Sequence, residues 1–460
     1  MSPRGCRPGS TSDLLIFKAS RRTSTISTAN PNRGGQKNAS PLRLFVFLLE
    51  GPKLEGKPMI RRLHVQNFRM LRSLEIEPSR LCLLAGPAAS GRTTVLDALQ
   101  FLRDVLTNGA SAAVQQRAPQ LQDLCFDPSR PIAIALELVP READQPHARF
   151  ELEIGPEPSR PLGARISREQ LFIVRSAAWL DDPPAAQQNL FEPEPGETSI
   201  VHERTPRGLR KVVAKSSEGR DYFWDERTDW HSHMRFGTDR SSLGSLPDEP
   251  ERFPVAIAVR DFLREGIQTM RLDARKLRAP SAPGSARRLE PDGSNLPHAV
   301  LDCRQREPGA FKSWLEQLRL AVPGLVSVDV RERQADRYLV MEVTFEGEHA
   351  RPVPSWCVSD AVLRLMALTL APHHGTGLEE LLLIDEVESG LHPRGVHVLF
   401  DALRAASDRV QIVGSTSSPL FAARAEQGQL VILRRGGDGA TQVLGAQELP
   451  QKSSWFEPSV

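Results

Sequence analysis

LCLLAGPAASGRTT, Leu81 to Thr94, is the stretch that decides how this chain folds. A short apolar run (Leu81, Leu83, Leu84) ends in Gly86; Pro87, Ala88, Ala89 and Ser90 follow, then Gly91, Arg92, Thr93 and Thr94. The spacing is that of a phosphate-binding loop, G-x-x-x-x-G-K-[ST], with Arg92 in the lysine position. In such a loop the glycines let backbone N–H groups curl around phosphates, and the following helix points its positive dipole end at them. The lysine reaches the β- and γ-phosphates and the Thr hydroxyl, here Thr93, holds Mg²⁺. A guanidinium is planar and larger than an ammonium, so Arg92 is not a conservative replacement. Gly- and Ala-rich turns are common connectors, and context decides between the two readings. Leu81 to Ala85 reads as a buried strand, while Val95, Leu96, Leu99, Leu102, Val105 and Leu106 fall on one helical face. Strand, glycine loop, helix is the geometry the motif needs.

Support comes from far downstream. Leu381, Leu382, Leu383 and Ile384 form an apolar run that closes on Asp385 and Glu386. Carboxylates at the carboxyl end of a buried strand sit where open α/β sheets bind ligands. Beside a phosphate loop, such an Asp holds the Mg²⁺ shell and the adjacent Glu can polarise a water.

LLLIDEVESGLHP, Leu381 to Pro393, resembles the Walker B segment and following loop of bacterial AAA-type ATPases of the ABC/SMC/RecF-like head branch, forms without a long coiled coil. Further segments resemble that family in order. HVQNFRML (His64–Leu71) is similar to its opening strand, DGSNLPHAVL (Asp292–Leu301) to a mid-chain GSNL element, VSDAVLRLMAL (Val358–Leu368) to the signature helix and GSTSSPLF (Gly414–Phe421) to the switch strand. The likeness covers about Met59 to Arg435. It implies an α/β P-loop NTPase of the ABC-ATPase-head type: a central, mostly parallel sheet, flanking antiparallel strands and a mixed insertion between Walker A and Walker B.

The resemblance also implies ATP and Mg²⁺ as ligands, Glu386 as the catalytic base, Thr93 and Asp385 as metal ligands, and phosphate contacts along residues 86–94. It implies a homodimer in which the signature of one protomer, with Ser359, faces the P-loop of the other, and Ser417 lies at the γ-phosphate-sensing position. Three motifs depart from the family pattern: Arg92 for Lys in the loop, Ala361 and Val362 for the signature Gly-Thr, and Ser417 for the switch His. All three lie on the phosphate side, so the expected function is an ATP-binding head that hydrolyses slowly if at all, coupled to a partner protein or a nucleic-acid process. The alternative is a non-hydrolysing binding or scaffold module. By analogy alone the family suggests DNA maintenance or phage defence.

Composition fits a cytoplasmic protein: 40% hydrophobic and 25% charged residues, no apolar stretch of the roughly 20 residues that span a bilayer, and five scattered cysteines without C-x-x-C spacing. Residues 1–58 carry ten basic residues against three acidic ones and are rich in Ser, Thr and Gly. They read as a disordered basic extension upstream of the true start, because the recognisable domain opens at Met59. The remainder has 49 basic and 54 acidic residues, which offers no global nucleic-acid-binding signature.

The expected organisation is an N-terminal lobe with the P-loop (59–175), a polar loop and helical insertion (176–320), a C-terminal lobe with signature, Walker B and switch (321–445), and a tail (446–460). Ile132, Ile134, Leu136 and Leu138 alternate, as do Phe150, Leu152 and Ile154, predicting antiparallel strands. Asp181 to Pro254 reads as a solvated loop, with His231 and His233 as its closest pair of histidines. Helices are predicted over Val255–Gly266, over Phe311–Val322 and from Pro393; Leu430–Leu433 and the Gly436–Gly439 turn predict a hairpin.

Overall fold

Strands follow the apolar patterning closely. In the computed structural model, residues 57–140, 147–160, 162–175, 199–228, 230–286, 288–348, 350–371, 380–426 and 428–444 are described. The basic extension before Lys57 and the tail from 446 lie outside them. The chain first forms an antiparallel pair, β1 (Pro58–Phe68) and β2 (Leu71–Ile76), and then β3 (Leu81–Ala85), buried at every residue. After the helix Arg92–Asn108, six strands extend the β1–β2 pair: β4 (Ile132–Pro140), β5 (Ala148–Pro156), β6 (Ala164–Val174), β7 (Leu209–Lys215), β8 (Asp221–Trp224) and β9 (His231–Met234). The result is an eight-stranded antiparallel sheet in the order β2-β1-β4-β5-β6-β7-β8-β9. β10 (Ile267–Met270) returns to the sheet of β3. β11 (Leu325–Glu332), β12 (Leu339–Phe345) and β13 (Pro352–Pro354) make a small antiparallel sheet. β14 (Leu381–Ile384), β15 (Gln411–Thr416), β16 (Leu430–Arg435) and β17 (Thr441–Leu444) complete the central sheet, ordered β10-β14-β15-β3-β16-β17. Its first five strands are parallel and β17 closes antiparallel on β16. The α/β architecture is thus a mostly parallel central sheet with a large antiparallel flank.

Two cores cover the faces of the central sheet. On one face the helix Arg92–Asn108 lies between the two large sheets, its Val95, Leu99, Leu102 and Val105 packed with Val65 of β1 and with Leu84, Leu381 and Val413. On the other, Leu83, Leu382, Ile384 and Ile412 pack against the helices Leu296–Arg306, Pro308–Ala321, Asp360–Leu370 and Pro393–Ala406. Gln411 ties the sheets together: its Oε1 accepts from Ile60 N at 2.9 Å and its Nε2 donates to Ile60 O at 2.9 Å. Cys82 is fully buried in β3, and burial pushes its thiol up to about 12, so it serves as a small apolar side chain.

The expectation of a solvated loop over Asp181–Pro254 is corrected by the structure. Its described part contributes β7, β8 and β9 to the antiparallel sheet. The inward face carries charge that disguises a strand: Lys215 and Asp221 are buried as a direct pair and, on β6, buried Glu169 accepts from Ser241 Oγ. Apolar residues on that face are few, so the period of two is hidden.

Glu226, just past β8, shows how this region is locked. Pro254 opens the helix Pro254–Asp261 without an N–H, leaving Val255 and Ala256 as its first unsatisfied donors. Glu226 accepts from both, at 3.0 and 2.8 Å. Burial pushes its carboxyl from near 4.5 up to about 7, against the pull of those two N–H groups. The folded chain therefore holds this proton more tightly than the unfolded chain. That contribution is present in full below about pH 4.5 and is lost as pH rises through about 7. Relative to Glu226→Gln, the unaltered protein should lose on the order of 2 kcal/mol between pH 5 and pH 8. Denaturant unfolding at the two pH values checks this, and a stability difference that does not change with pH would contradict it.

Candidate functional site

The sequence of the loop after β3 dictates an unusual backbone. Gly91 has φ +101° and precedes the helix Arg92–Asn108 as its cap, while Ala89 is also left-handed at φ +59°. A Cβ at Gly91 would sit 2.2 Å from Thr441 Oγ1, and one at Gly86 would sit 2.2 Å from the carbonyl oxygen of Leu433. Both glycines are therefore fixed by close approach to β16 and β17 (Thr441 being the first residue of β17), besides their conformation.

The sheet order places the second motif beside the loop. β15 lies between β3 and β14, with Thr416 opposite Ala85 and Gly414 opposite Ile384, so β3 and β15 end together and Asp385 and Glu386 follow β14 at the same end of the sheet. Thr93 Oγ1 donates to Asp385 Oδ1 at 3.1 Å across this end. Ser415 donates to the same oxygen at 2.6 Å, and its Oγ accepts from Glu386 N at 2.8 Å. Val387 N donates to Ser415 O at 3.0 Å. These bonds hold Glu386 at φ +49°, a strained setting for a residue with a side chain, and leave its carboxylate exposed.

Arg364, on the helix Asp360–Leu370, secures the same turn from the other side. Its Nη2 donates to Glu386 O at 2.6 Å and Asp385 O at 3.2 Å. Burial lowers its guanidinium, an effect opposed by the carboxylates of Glu386, Glu388 and Asp385. Ser417 is held by Glu388, whose Oε1 accepts from Ser417 N at 2.9 Å and from Ser417 Oγ at 3.2 Å. Ser417 is thus closed on a neighbouring carboxylate.

Ser359 caps the signature helix, its Oγ accepting from Val362 N at 3.4 Å; Asp360 pairs with Arg278 at 2.8 Å. Ser359 and Asp360 are exposed. Among the described residues no hydrogen bond or ion pair joins residues 359–362 to residues 86–94. The structure therefore brings Thr93, Asp385 and Glu386 together with the loop, and leaves Ser359 and Ala361 outside it.

The loop fits an anion. Ser90 Oγ, Arg92 Nη1 and Thr441 Oγ1 are buried around it without a hydrogen-bond partner. Unsatisfied buried donors are uncommon, and two of these three belong to the loop itself. Thr93 and Asp385 offer the hydroxyl and carboxylate that Mg²⁺ accepts alongside phosphate oxygens and waters. Among the described residues there is no group of three or more His, Cys, Asp or Glu that could hold a metal without such help.

Other motifs turn out to be braces. Asn67 bonds Asp127 N and the carbonyls of Asp127, Arg130 and Pro131, while Arg69 pairs with Asp97 of the P-loop helix at 3.0 Å. Asn295, 2% exposed, accepts from Glu290 N and donates to Ala286 O and Arg288 O. His392 caps the helix Pro393–Ala406. Sequence reading missed Ser415, Arg364 and Glu388. The signal for Ser415 was present: it is the polar residue just before the strand end beside Walker B.

A family model described as "AAA domain, putative AbiEii toxin, Type IV TA system" matches residues 81–423. Among solved structures, the chain is similar to an Smc head bound to the C-winged helix domain of ScpA, at 15% identity and TM-score 0.44, over 84% of this chain and 97% of that one. A second is the Smc head of Pyrococcus furiosus with an extended coiled coil, at 13% identity and TM-score 0.44, over 84% and 96%. A third, the SMC head domain of Thermotoga maritima, has 11% identity and TM-score 0.37, over 84% and 98%. No curated protein matches. Among the described residues no helix is long and apolar enough to cross a membrane.

Proposed function

The chain belongs to the AAA domain family whose model spans its residues 81–423, and from that premise we propose that it is an ATP-binding head that turns ATP over slowly. The observation that carries this reading is the Thr93–Asp385 contact at 3.1 Å, which pairs a P-loop hydroxyl with a Walker B carboxylate. Residues 86–94 would hold the phosphates, with Arg92 supplying positive charge. Thr93 and Asp385 would hold Mg²⁺, which when bound neutralises charge on the β- and γ-phosphates. Glu386, whose backbone is fixed by Ser415 and Arg364 and whose carboxylate is exposed, would accept a proton from water.

The slow turnover rests on what is missing. Ser417 is short and occupied by Glu388, so it brings no imidazole to a γ-phosphate. Ala361 adds a methyl group in the first turn of the signature helix. The exposed Ser359–Asp360 end suits the P-loop of a second copy, which makes a homodimer the favoured assembly. A non-hydrolysing module is the second reading, favoured by the same Ser417–Glu388 contact.

Arg92→Lys tests the binding claim. A compact ammonium fits the site more closely than a guanidinium, so the variant should bind ATP–Mg²⁺ roughly tenfold more tightly. Calorimetric titration of the two proteins checks it, and equal or weaker binding by the variant would count against the assignment of Arg92.

A further inference from the structure

The outer end of the eight-stranded sheet carries a surface that the nucleotide site does not use. Alternation along β8 and β9 turns Phe223 into the core and leaves Tyr222, Trp224, His231 and His233 on the opposite face. The register sets Tyr222 opposite His233 and Trp224 opposite His231. Their rings form one continuous group. Tyr222 and Trp224 lie 5.9 Å apart at 23°, Trp224 and His231 6.2 Å apart at 29°, and Tyr222 and His233 6.5 Å apart. Both histidines are exposed and both larger rings are partly so. Beside them a cavity of about 310 Å³ is lined by Arg168, Lys211, Lys215, Tyr222 and Trp224, with Glu203 as its one acid.

Charge is distributed unevenly here. The acids of this segment are largely engaged inside: Asp221 with Lys215 and Phe236 N, Asp225 with the N–H groups of Arg227 and Thr228, Glu226 with the helix it caps. Among the described residues of 199–240, the exposed charges are Arg204, Arg207, Arg220, Arg227, Arg235 and Arg240, against Glu203 and Glu218. The segment is therefore basic at its surface, although the chain from residue 59 onward is acidic overall.

We propose that this face binds single-stranded nucleic acid, with unpaired bases stacking on Tyr222, Trp224, His231 and His233 and the phosphate backbone following Lys211, Arg168 and Arg235. An aromatic platform bordered by cations is the arrangement that holds a single strand without reading its sequence. A duplex covers the faces of its bases and cannot use the rings, so the strand must be unpaired.

The test uses the full chain without ATP, so its result is independent of the nucleotide reading. The probe is a dye-labelled oligothymidylate of about 15 nucleotides, followed by fluorescence anisotropy. Binding should weaken roughly tenfold between about 50 mM and about 200 mM salt. Tyr222→Leu and Trp224→Leu should each weaken it roughly tenfold, and a duplex of equal length should bind at least about tenfold more weakly than the single strand. Arg235→Glu, at an exposed position, should lower affinity and flatten the salt dependence without changing the melting temperature. If the aromatic variants fail to fold, His233→Ala and Arg235→Glu carry the test. No binding at low salt, equal binding of duplex, or unchanged binding by variants that melt normally would each overturn the proposal.

Discussion

Phosphate release by a chain carrying Arg92→Lys, Ala361→Gly and Ser417→His together should exceed that of the unaltered protein by roughly a hundredfold or more. Adding Glu386→Gln should remove the gain while ATP binding persists. The single changes should each do little, because groups that act as a unit on one phosphate are strongly non-additive. The geometry explains which parts need repair. Asp385, Thr93, Ser415 and Glu386 are already bonded to one another at the carboxyl ends of β14, β15 and β3. Ser417 must exchange its hydroxyl contact with Glu388 for an imidazole, while its backbone N–H keeps the 2.9 Å bond to the same carboxylate. Release rates measured at saturating ATP for all single, double and triple variants check the claim. Single effects that multiply to the triple value would contradict it.

The largest stability effect is expected at Asp221→Ala. Lys215 and Asp221 form an ion pair with both side chains at 0% exposure. Lys215 also donates to Gly237 O at 2.9 Å, and Asp221 accepts from Ser242 Oγ and from Phe236 N. Removing the carboxylate takes the ion partner from a buried ammonium and leaves Gly237 O as its hydrogen-bond acceptor, which should cost about 3–5 kcal/mol. Lys215→Met in the same chain should recover a large part, because the buried ammonium that lost its ion partner is then gone. Denaturant unfolding of the single and double variants decides the matter; a loss below about 1 kcal/mol for Asp221→Ala would show that the pair is not what holds β7 to β8. The same loss would unsettle the hairpin that carries Tyr222 and Trp224.

The end of the molecule that carries the glycine loop was legible in the sequence because its signals are local. A buried strand, a glycine loop and a helix are contiguous at Leu81–Asn108, and Leu381–Glu386 announces its carboxylates with an apolar run. The ordered motifs then set the central sheet. What stayed hidden depends on contacts between distant segments. Arg364 reads as an ordinary helix residue until the turn at Asp385 and Glu386 is brought to it. Asn67 and Asn295 sit in motifs that look chemical, yet their side chains satisfy backbone groups that would otherwise be orphaned. β7 to β9 read as loop because their inward positions include Lys215 and Asp221, residues whose burial only the paired structure explains. His231 and His233 read as solvated, and they are exposed, but in register with two aromatic rings.

Titration of the full chain with ATP, in the presence and absence of Mg²⁺ and with phosphate release followed in parallel, tests the central claim most directly. A degenerate site that still holds nucleotide predicts saturable binding that needs Mg²⁺, is weakened by Thr93→Ala, and is accompanied by slow release. Absence of binding, or brisk hydrolysis by the unaltered chain that Glu386→Gln abolishes, would contradict it.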